Sequence, residues 1–353
     1  MTLPAGIETP AVLVDLDIAE ANIRAAQAHC DAVGVRLRPH VKTHKLIALA
    51  RAQLAAGAVG ITCQKVSEAE VFVRAGFDDV LITYNLLGAE KLARLRELSL
   101  HARMAACADS ATTVNGLSAA FASAPKPLSV LVECDTGGGR CGVQSPEAAA
   151  ELAGLIARSP GLIFGGLMTY PAAGTHGRVE EFMTVARDRA IRAAGSCATI
   201  TSGGTPAMRT FTGSKVVTEY RPGTYVYNDR SLIARGDARV EDCALRVAAT
   251  VVSRPTADRA ILDSGSKTLS SDLLGLTGYG MLPDFPGAMI AGLSEEHAVV
   301  DLSGAGKRPD VGEVVSVIPN HACVVTNLTD RVFLHRGMVA PAATAVDARG
   351  RVW

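Results

Sequence analysis

Two lysines, two histidines and an arginine crowd into the eight residues Arg38-Pro39-His40-Val41-Lys42-Thr43-His44-Lys45. Charges packed this closely in sequence are either a solvated basic turn or a reactive cluster. The chemistry open to such a cluster is that of an amine. Lysine condenses with a carbonyl group to a Schiff base once burial or neighbouring positive charge lowers its ammonium pKa. Lys42 is the first candidate for that amine and Lys45 the second, with His40 and His44 beside them as bases.

Three further stretches carry possible chemistry. Ser202-Gly203-Gly204-Thr205 can cradle a phosphate, because two glycines let the backbone N–H groups approach and Thr205 adds a hydroxyl; a plain loop is the alternative. Gly137-Gly138-Gly139-Arg140-Cys141-Gly142 can bring backbone close to a ligand, with Arg140 aimed at a phenolate or carboxylate or else held in a structural ion pair. It lacks the strand and helix flanks of a dinucleotide fingerprint. His321-Ala322-Cys323 reads as a strand whose i and i+2 side chains share a face, offering imidazole and thiolate to Zn²⁺, or a buried Cys near a satisfied His. Two ligands leave coordination positions open, as a catalytic metal needs. Glu296-His297 has no role that its spacing reveals.

These residues need elements to hold them. Strand-like runs begin near Val35, Ala58, Asp79, Ala102, Leu128, Leu162, Ala198 and Tyr220, with helix-period segments such as Ser67 to Ala75, Ala89 to Leu98, Ser145 to Arg158 and Arg178 to Ala194 between them. That alternation predicts a (β/α)8 TIM barrel over 17–235. The residues at the strand ends are polar: Lys42, Gln64, Asn85, Asp109, Glu133, Tyr170, Thr205 and Tyr225 to Asp229 would then collect at one mouth. The Gly-Gly turn follows strand seven, a favoured place for barrel phosphate sites. Beyond Gly236 short β-rich runs, Cys243 to Ser253, Arg259 to Leu262, His297 to Leu302, Val311 to Ile318 and Ala322 to Asn327, predict a mainly β domain over 236–353. The strand Ala11 to Leu16 has no place among the eight, so 1–16 is assigned to that domain. The Gly-, Ser- and Pro-rich loop from Gly265 to Gly292 is too long for a plain connector and predicts a functional or interface role.

Composition narrows the partners. Thirty-five Lys and Arg balance thirty-five Asp and Glu, so nothing favours nucleic acid or an anionic membrane. The opening residues lack a basic stretch followed by an apolar one, and no apolar run approaches ~20 residues. Eight cysteines without a C-x-x-C pair read as reduced thiols. Together these predict a cytoplasmic protein.

The sequence resembles the fold-type III, alanine racemase-like pyridoxal-phosphate enzymes that include D-threonine aldolase, eukaryotic-type D-serine dehydratase and D-threo-3-hydroxyaspartate dehydratase. The likeness covers nearly the whole chain. It rests on Thr9-Pro10, Val14-Asp15-Leu16, Arg38 to Lys45, Gln64 to Glu70, Gly139 to Val143, Gly203 to Pro206, Asp263, Lys267 and His321-Ala322-Cys323. The resemblance implies that Lys42 holds pyridoxal 5'-phosphate covalently, that Gly203, Gly204 and Thr205 receive its phosphate, and that Gln64, Arg140, Tyr170 and Tyr225 line it. It also implies a divalent metal on His321 and Cys323, with Zn²⁺ favoured over Mn²⁺ or Mg²⁺, and a homodimer whose second chain completes the site.

D-threonine aldolases typically carry His-Cys-Asp at the metal motif and the dehydratases His-x-Cys. Cys323 therefore favours a D-serine or 3-hydroxyaspartate dehydratase, giving 2-oxo acid and ammonia; Tyr225 to Asp229 and Leu262 to Lys267 read as much like aldolases, and retro-aldol cleavage to glycine and an aldehyde is the alternative. In the first case Lys42 removes the α-proton; in the second His40, His44 or Tyr170 takes the hydroxyl proton. A racemase, needing a second base such as Tyr279, and a non-catalytic cofactor carrier are the rivals.

Overall fold

A computed structural model describes residue 3, residues 6–337 and residues 341–353; Met1, Thr2, Pro4 and Ala5, part of the opening stretch, lie outside the described residues. From the N-terminus the elements are β1 (Ala11–Asp15), α1 (Leu16–Ala32), β2 (Arg36–Leu37), α2 (Ile47–Ala55), β3 (Ile61–Cys63), α3 (Val66–Arg74), β4 (Asp79–Asn85), α4 (Ala89–His101), β5 (Arg103–Ala108), α5 (Ala111–Phe121), β6 (Leu128–Cys134), α6 (Pro146–Arg158), β7 (Leu162–Thr169), α7 (His176–Ala194), β8 (Thr199–Ser202) and β9 (Glu219–Tyr220).

The expected barrel is present. Among the described residues, β2 to β9 form one parallel eight-stranded sheet in the order β2-β9-β8-β7-β6-β5-β4-β3. It curls until its edges meet, where His40 bridges Thr62 and the Thr62 N–H donates to the Pro39 carbonyl at 2.8 Å. Inside, Leu81, Cys107, Leu131 and Met168 pack as a layer contributed by four consecutive strands. The helices begin where local chemistry allows. Ser110 caps α5 by accepting from the Thr113 N–H, Ser145 caps α6 from Ala148, and Pro146 stands where no amide hydrogen is needed.

Arg38, a member of the basic cluster by sequence, is not part of the mouth. Its guanidinium donates to Glu219 at 2.9 Å and to Asp79 at 2.9 and 3.2 Å. Both acids begin strands, so Arg38, just past the end of β2, ties that strand to the N-terminal ends of β4 and β9. Strand alternation sends it away from the residues that follow.

The second group of elements is α8 (Arg230–Ala234), β10 (Leu245–Thr256), β11 (Arg259–Leu262), α9 (Ser266–Leu269), β12 (Gly280–Met281), β13 (Met289–Leu293), β14 (Ala298–Asp301), β15 (Val314–Pro319), α10 (Ala322–Leu328), β16 (Arg331–His335) and β17 (Ala342–Ala345). β1 joins this sheet, antiparallel to β10 and parallel to β16. Ala11, Leu13 and Ala248 form the core there, with Leu3, Ile7, Val314 and Phe333 packed on them. The stretch 265–292, read as a loop, contains α9, β12 and part of β13. Ala322 to Asn327, read as β because of its branched residues, is helical: the Asp229 carboxylate accepts the Ala322 N–H at 3.1 Å and starts a turn instead.

The chain divides into two compact units. One comprises Ala25–Lys42, Ile47–Gly223 and Arg351–Trp353; the other comprises Met1–Arg24, Thr43–Leu46 and Thr224–Gly350. No helix among the described residues is long and apolar enough to cross a membrane.

Candidate functional site

In the barrel unit the short strand β2 delivers its C-terminal residues to the mouth, and Lys42 follows in a 3-10 turn, Val41–Thr43. The Lys42 Nζ donates to Gln64 Oε1 at 3.1 Å, and the same oxygen lies 3.0 Å from His40 Nε2. The Gln64 amide is turned by its other end, because Nε2 donates to the Thr83 carbonyl at 3.0 Å while its backbone N–H donates to Glu68 at 2.7 Å. Strands β3 and β4 thereby aim one neutral acceptor at the amine and the imidazole. Lys42, Gln64 and His40 come together as the sequence suggested.

Across the mouth a second set converges. Gly203 has φ +102, and a Cβ placed on it would stand 2.5 Å from the Tyr220 ring; a Cβ on Gly204 would stand 3.0 Å from the Tyr170 ring. Bare backbone is therefore required at Gly203 and fits tightly at Gly204, and it leaves amide N–H groups and the Thr205 side chain beside one turn, as a phosphate needs. Thr205 Oγ1 accepts from the Gly223 N–H at 3.2 Å, which fixes the hydroxyl. The Arg140 guanidinium lies 4.8 Å from the centre of the Tyr170 ring, and Tyr170 is 42% exposed. Arg140 is thus held by a cation–π contact rather than by a structural ion pair.

Beneath this set lies Arg221, fully buried, donating to Thr201 Oγ1 at 2.8 Å and to the Thr169 carbonyl at 2.6 Å. Burial pulls its pKa down against the opposing charge of Glu219. Sequence reasoning missed it, since Arg221-Pro222-Gly223 looks like a turn. Asp109, Glu133 and Cys141 also gather, with ligand atoms within 4.8 Å of one another. Burial pushes the Glu133 carboxyl and the Cys141 thiol upward.

The expected metal pair lies in the other unit, and its backbone differs from the expectation. His321 precedes α10 as its cap and Cys323 is the second helical residue; they do not alternate on a strand. Cys323 Sγ has Thr43 Oγ1 at 3.1 Å and Thr224 Oγ1 at 3.5 Å, and His321 Nδ1 has Asp272 Oδ2 at 2.6 Å. Burial opposes charge on both groups, but their mutual hydrogen bond and attraction overcome it: His321 is lifted to about 9 and the Cys323 thiol is lowered. The pair therefore favours the thiolate that a soft cation binds. Nearby, Tyr227 is fully buried, and its hydroxyl has no hydrogen-bond partner among the described residues. Burial first and the charge of Cys323 second push its pKa up. An orphaned phenol beside a thiolate fits a site that a cation would complete. Tyr227 lies in the Tyr225 to Asp229 run that the sequence placed at the barrel mouth, whereas Asp272 was not singled out, although it lies in the long stretch marked there as functional.

Three other candidates are placed by local structure. Lys45, the second amine, has φ 54, is buried, and donates to the Ala348 carbonyl at 3.3 Å. His44 is fully buried, and its Nδ1 accepts the Leu46 N–H at 3.0 Å. Tyr225, read as the end of the last barrel strand, is buried in the 3-10 turn Thr224–Val226 of the second unit.

With this geometry in hand, comparison with known proteins is informative. A family model described as "Alanine racemase, N-terminal domain" matches residues 14–231, and one described as "Putative serine dehydratase domain" matches residues 244–335. A D-threonine aldolase from Arthrobacter sp is 37% identical over 360 residues, covering 98% of this chain and 94% of its own. A D-threo-3-hydroxyaspartate dehydratase from Delftia sp. (strain HT23) is 31% identical over 376 residues, covering 98% and 96%. The crystal structure of D-threonine aldolase from Filomicrobium marinum superposes with a TM-score of 0.88 at 36% identity, covering 98% of this chain and 97% of that one.

Proposed function

Since the chain belongs to the fold-type III, alanine racemase-like pyridoxal-phosphate enzymes of the D-threonine aldolase and D-threo-3-hydroxyaspartate dehydratase group, we propose that it cleaves a β-hydroxy D-amino acid between Cα and Cβ, giving glycine and an aldehyde. The observation that carries this reading is the Lys42 amine, presented at the barrel mouth against the neutral oxygen of Gln64. Higher identity to the aldolase than to the dehydratase favours cleavage, the reading that the metal motif placed second.

Lys42 would carry the cofactor covalently, with the N–H groups of Gly203 and Gly204 and the Thr205 hydroxyl receiving its phosphate, and with Gln64, Arg140, Tyr170 and Tyr225 lining it. His321 and Cys323 would hold a divalent metal, zinc fitting the imidazole–thiolate pair best and Mn²⁺ or Mg²⁺ being the other choices. When bound, the cofactor supplies an electron sink and the metal a Lewis acid.

Cleavage requires a base for the substrate hydroxyl proton. His44 is enclosed and occupied, and His40 is tied to Gln64. Tyr170, partly exposed with Arg140 over its ring, is the candidate that keeps access to solvent and substrate.

A specific residue supports a second reading. Cys323 stands where the aldolase pattern has an acid, which favours dehydration with Lys42 taking the α-proton. Incubation of the cofactor- and zinc-loaded protein with D-threonine, D-serine and 3-hydroxy-D-aspartate separates the two. Glycine with aldehyde supports cleavage; ammonia with a 2-oxo acid moves the assignment to dehydration; a change of enantiomer alone rejects both. A homodimer in the cytoplasm is the accompanying proposal, tested by light scattering of the purified protein and by fractionation of cells that express it.

A further inference from the structure

The Asp272 carboxylate sits 2.6 Å from His321 Nδ1 and has that imidazole as its hydrogen-bond partner among the described residues. We propose that Asp272 is a positioning residue for the metal: by accepting the Nδ1–H hydrogen bond it fixes the His321 ring and tautomer, so that Nε2 is left with the lone pair that binds. The proposal rests on the metal reading of His321 and Cys323 above.

A loop built for this purpose supports it. Asn320, 1% exposed and adjacent to His321, donates from Nδ2 to the carbonyls of Asp272 at 3.2 Å and Gly278 at 2.9 Å. Arg230 donates to Asn320 Oδ1 at 3.0 Å and to the Thr277 and Gly278 carbonyls at 2.8 and 3.2 Å. Ser270 Oγ accepts the Asp272 N–H at 3.0 Å. The loop contacts of Asn320 and Arg230 thus go to backbone, and the carboxylate is reserved for His321. The loop also holds Ser270 at φ 67 and Leu274 at φ 49, left-handed backbone in residues that have a Cβ.

Each such residue strains the backbone. A part-exposed ion pair, here 26% and 37% exposed on its two sides, returns less stability than that strain costs. Stabilising the fold is therefore too small a reason for the loop. Orienting a ligand is a sufficient one, because a metal-binding imidazole needs its other nitrogen engaged, and losing that partner weakens metal binding roughly 10–100-fold.

The test uses full-length holoprotein, stripped of metal with a chelator and titrated with Zn²⁺ against a chromophoric competitor, with Co²⁺ spectra reporting thiolate ligation. The wild type takes up zinc and shows a thiolate-to-cobalt band. Asp272→Ala binds zinc about 10–100-fold more weakly with an unchanged Tm of the metal-free form, and Asp272→Asn, which keeps an acceptor for Nδ1–H, recovers part of the loss. Should Asp272→Ala fail to fold, Asp272→Asn decides alone by lying below the wild type in affinity. Equal zinc affinity in the wild type and the variants overturns the proposal while leaving the metal reading intact; a drop in cobalt coordination number in Asp272→Ala overturns it in favour of direct ligation. A wild type that takes up no zinc rejects the metal reading itself, and the proposal with it.

Discussion

Lys42 Nζ donates to Gln64 Oε1 across 3.1 Å, and Gln64 is held in that orientation by Thr83 and Glu68. The acceptor is an amide, so this contact adds no negative charge beside the amine. Gln64→Glu places a carboxylate at the same distance, and an opposite charge favours the ammonium. Capture of pyridoxal 5'-phosphate by the cofactor-free protein needs the neutral amine. The pH at which the capture rate reaches half its maximum therefore rises in Gln64→Glu, on the order of 1–3 units. An unchanged pH profile would show that Gln64 does not tune the amine.

Two substitutions divide the proposed chemistry. Lys42→Ala removes the visible absorbance of the bound cofactor together with turnover. Cys323→Ala keeps the absorbance and loses turnover by more than the ~10–100-fold that an outer partner of a metal costs. Absorbance spectra and a glycine or ammonia assay on the same samples check both. Full activity in Cys323→Ala would remove the thiolate from the reaction.

The barrel was legible because its strands are short apolar runs at regular intervals, and its polar strand ends announced the mouth. The Gly203-Gly204 turn, proposed for the phosphate, was placed for the same reason, two glycines falling after the seventh strand. What escaped depends on distant partners. Arg38 looked reactive beside Lys42, yet Asp79 and Glu219, far along the chain, claim it. Ala322 to Asn327 has strand-favouring residues, yet it is helical, its first N–H accepted by Asp229, 93 positions earlier. Asp272 carries no local signal, and Tyr227, though inside the polar run Tyr225 to Asp229, could not be told apart there, because an orphaned hydroxyl or a paired carboxylate is a property of packing and not of spacing.

Gly203 offers a test of the cradle that does not depend on turnover. Its φ of +102 and the 2.5 Å approach of an added methyl carbon to Tyr220 make Gly203→Ala strained twice over, by backbone and by contact. The strain is about 1–3 kcal/mol, expected as a lower Tm of the cofactor-free protein and a cofactor Kd at least tenfold weaker. Gly177→Ala is the control: it lies in α7 with nothing within 4 Å of the added carbon, and should be neutral or stabilising by roughly 0.5–1 kcal/mol. Equal cofactor affinity in the two variants would dismiss the cradle.

Arg94 donates to both oxygens of Glu70, at 2.5 and 2.6 Å, tying α4 to α3 on the outside of the barrel. The Arg94 hydrogen bonds hold the Glu70 carboxyl below its ordinary value, against a smaller opposing effect of burial. A carboxyl lowered in the folded state stabilises the fold fully above its unfolded pKa, about 4.3, and loses that stabilisation as pH falls through the lower folded value. The side chains are 14% and 29% exposed, so the pair contributes at most about 1 kcal/mol. Glu70→Gln should thus lower the Tm slightly at pH 7 and follow a shallower decline than the wild type below pH ~4.3. Thermal melts across that range measure the difference, and parallel curves for the two proteins would mean that the pair contributes no pH-dependent stability.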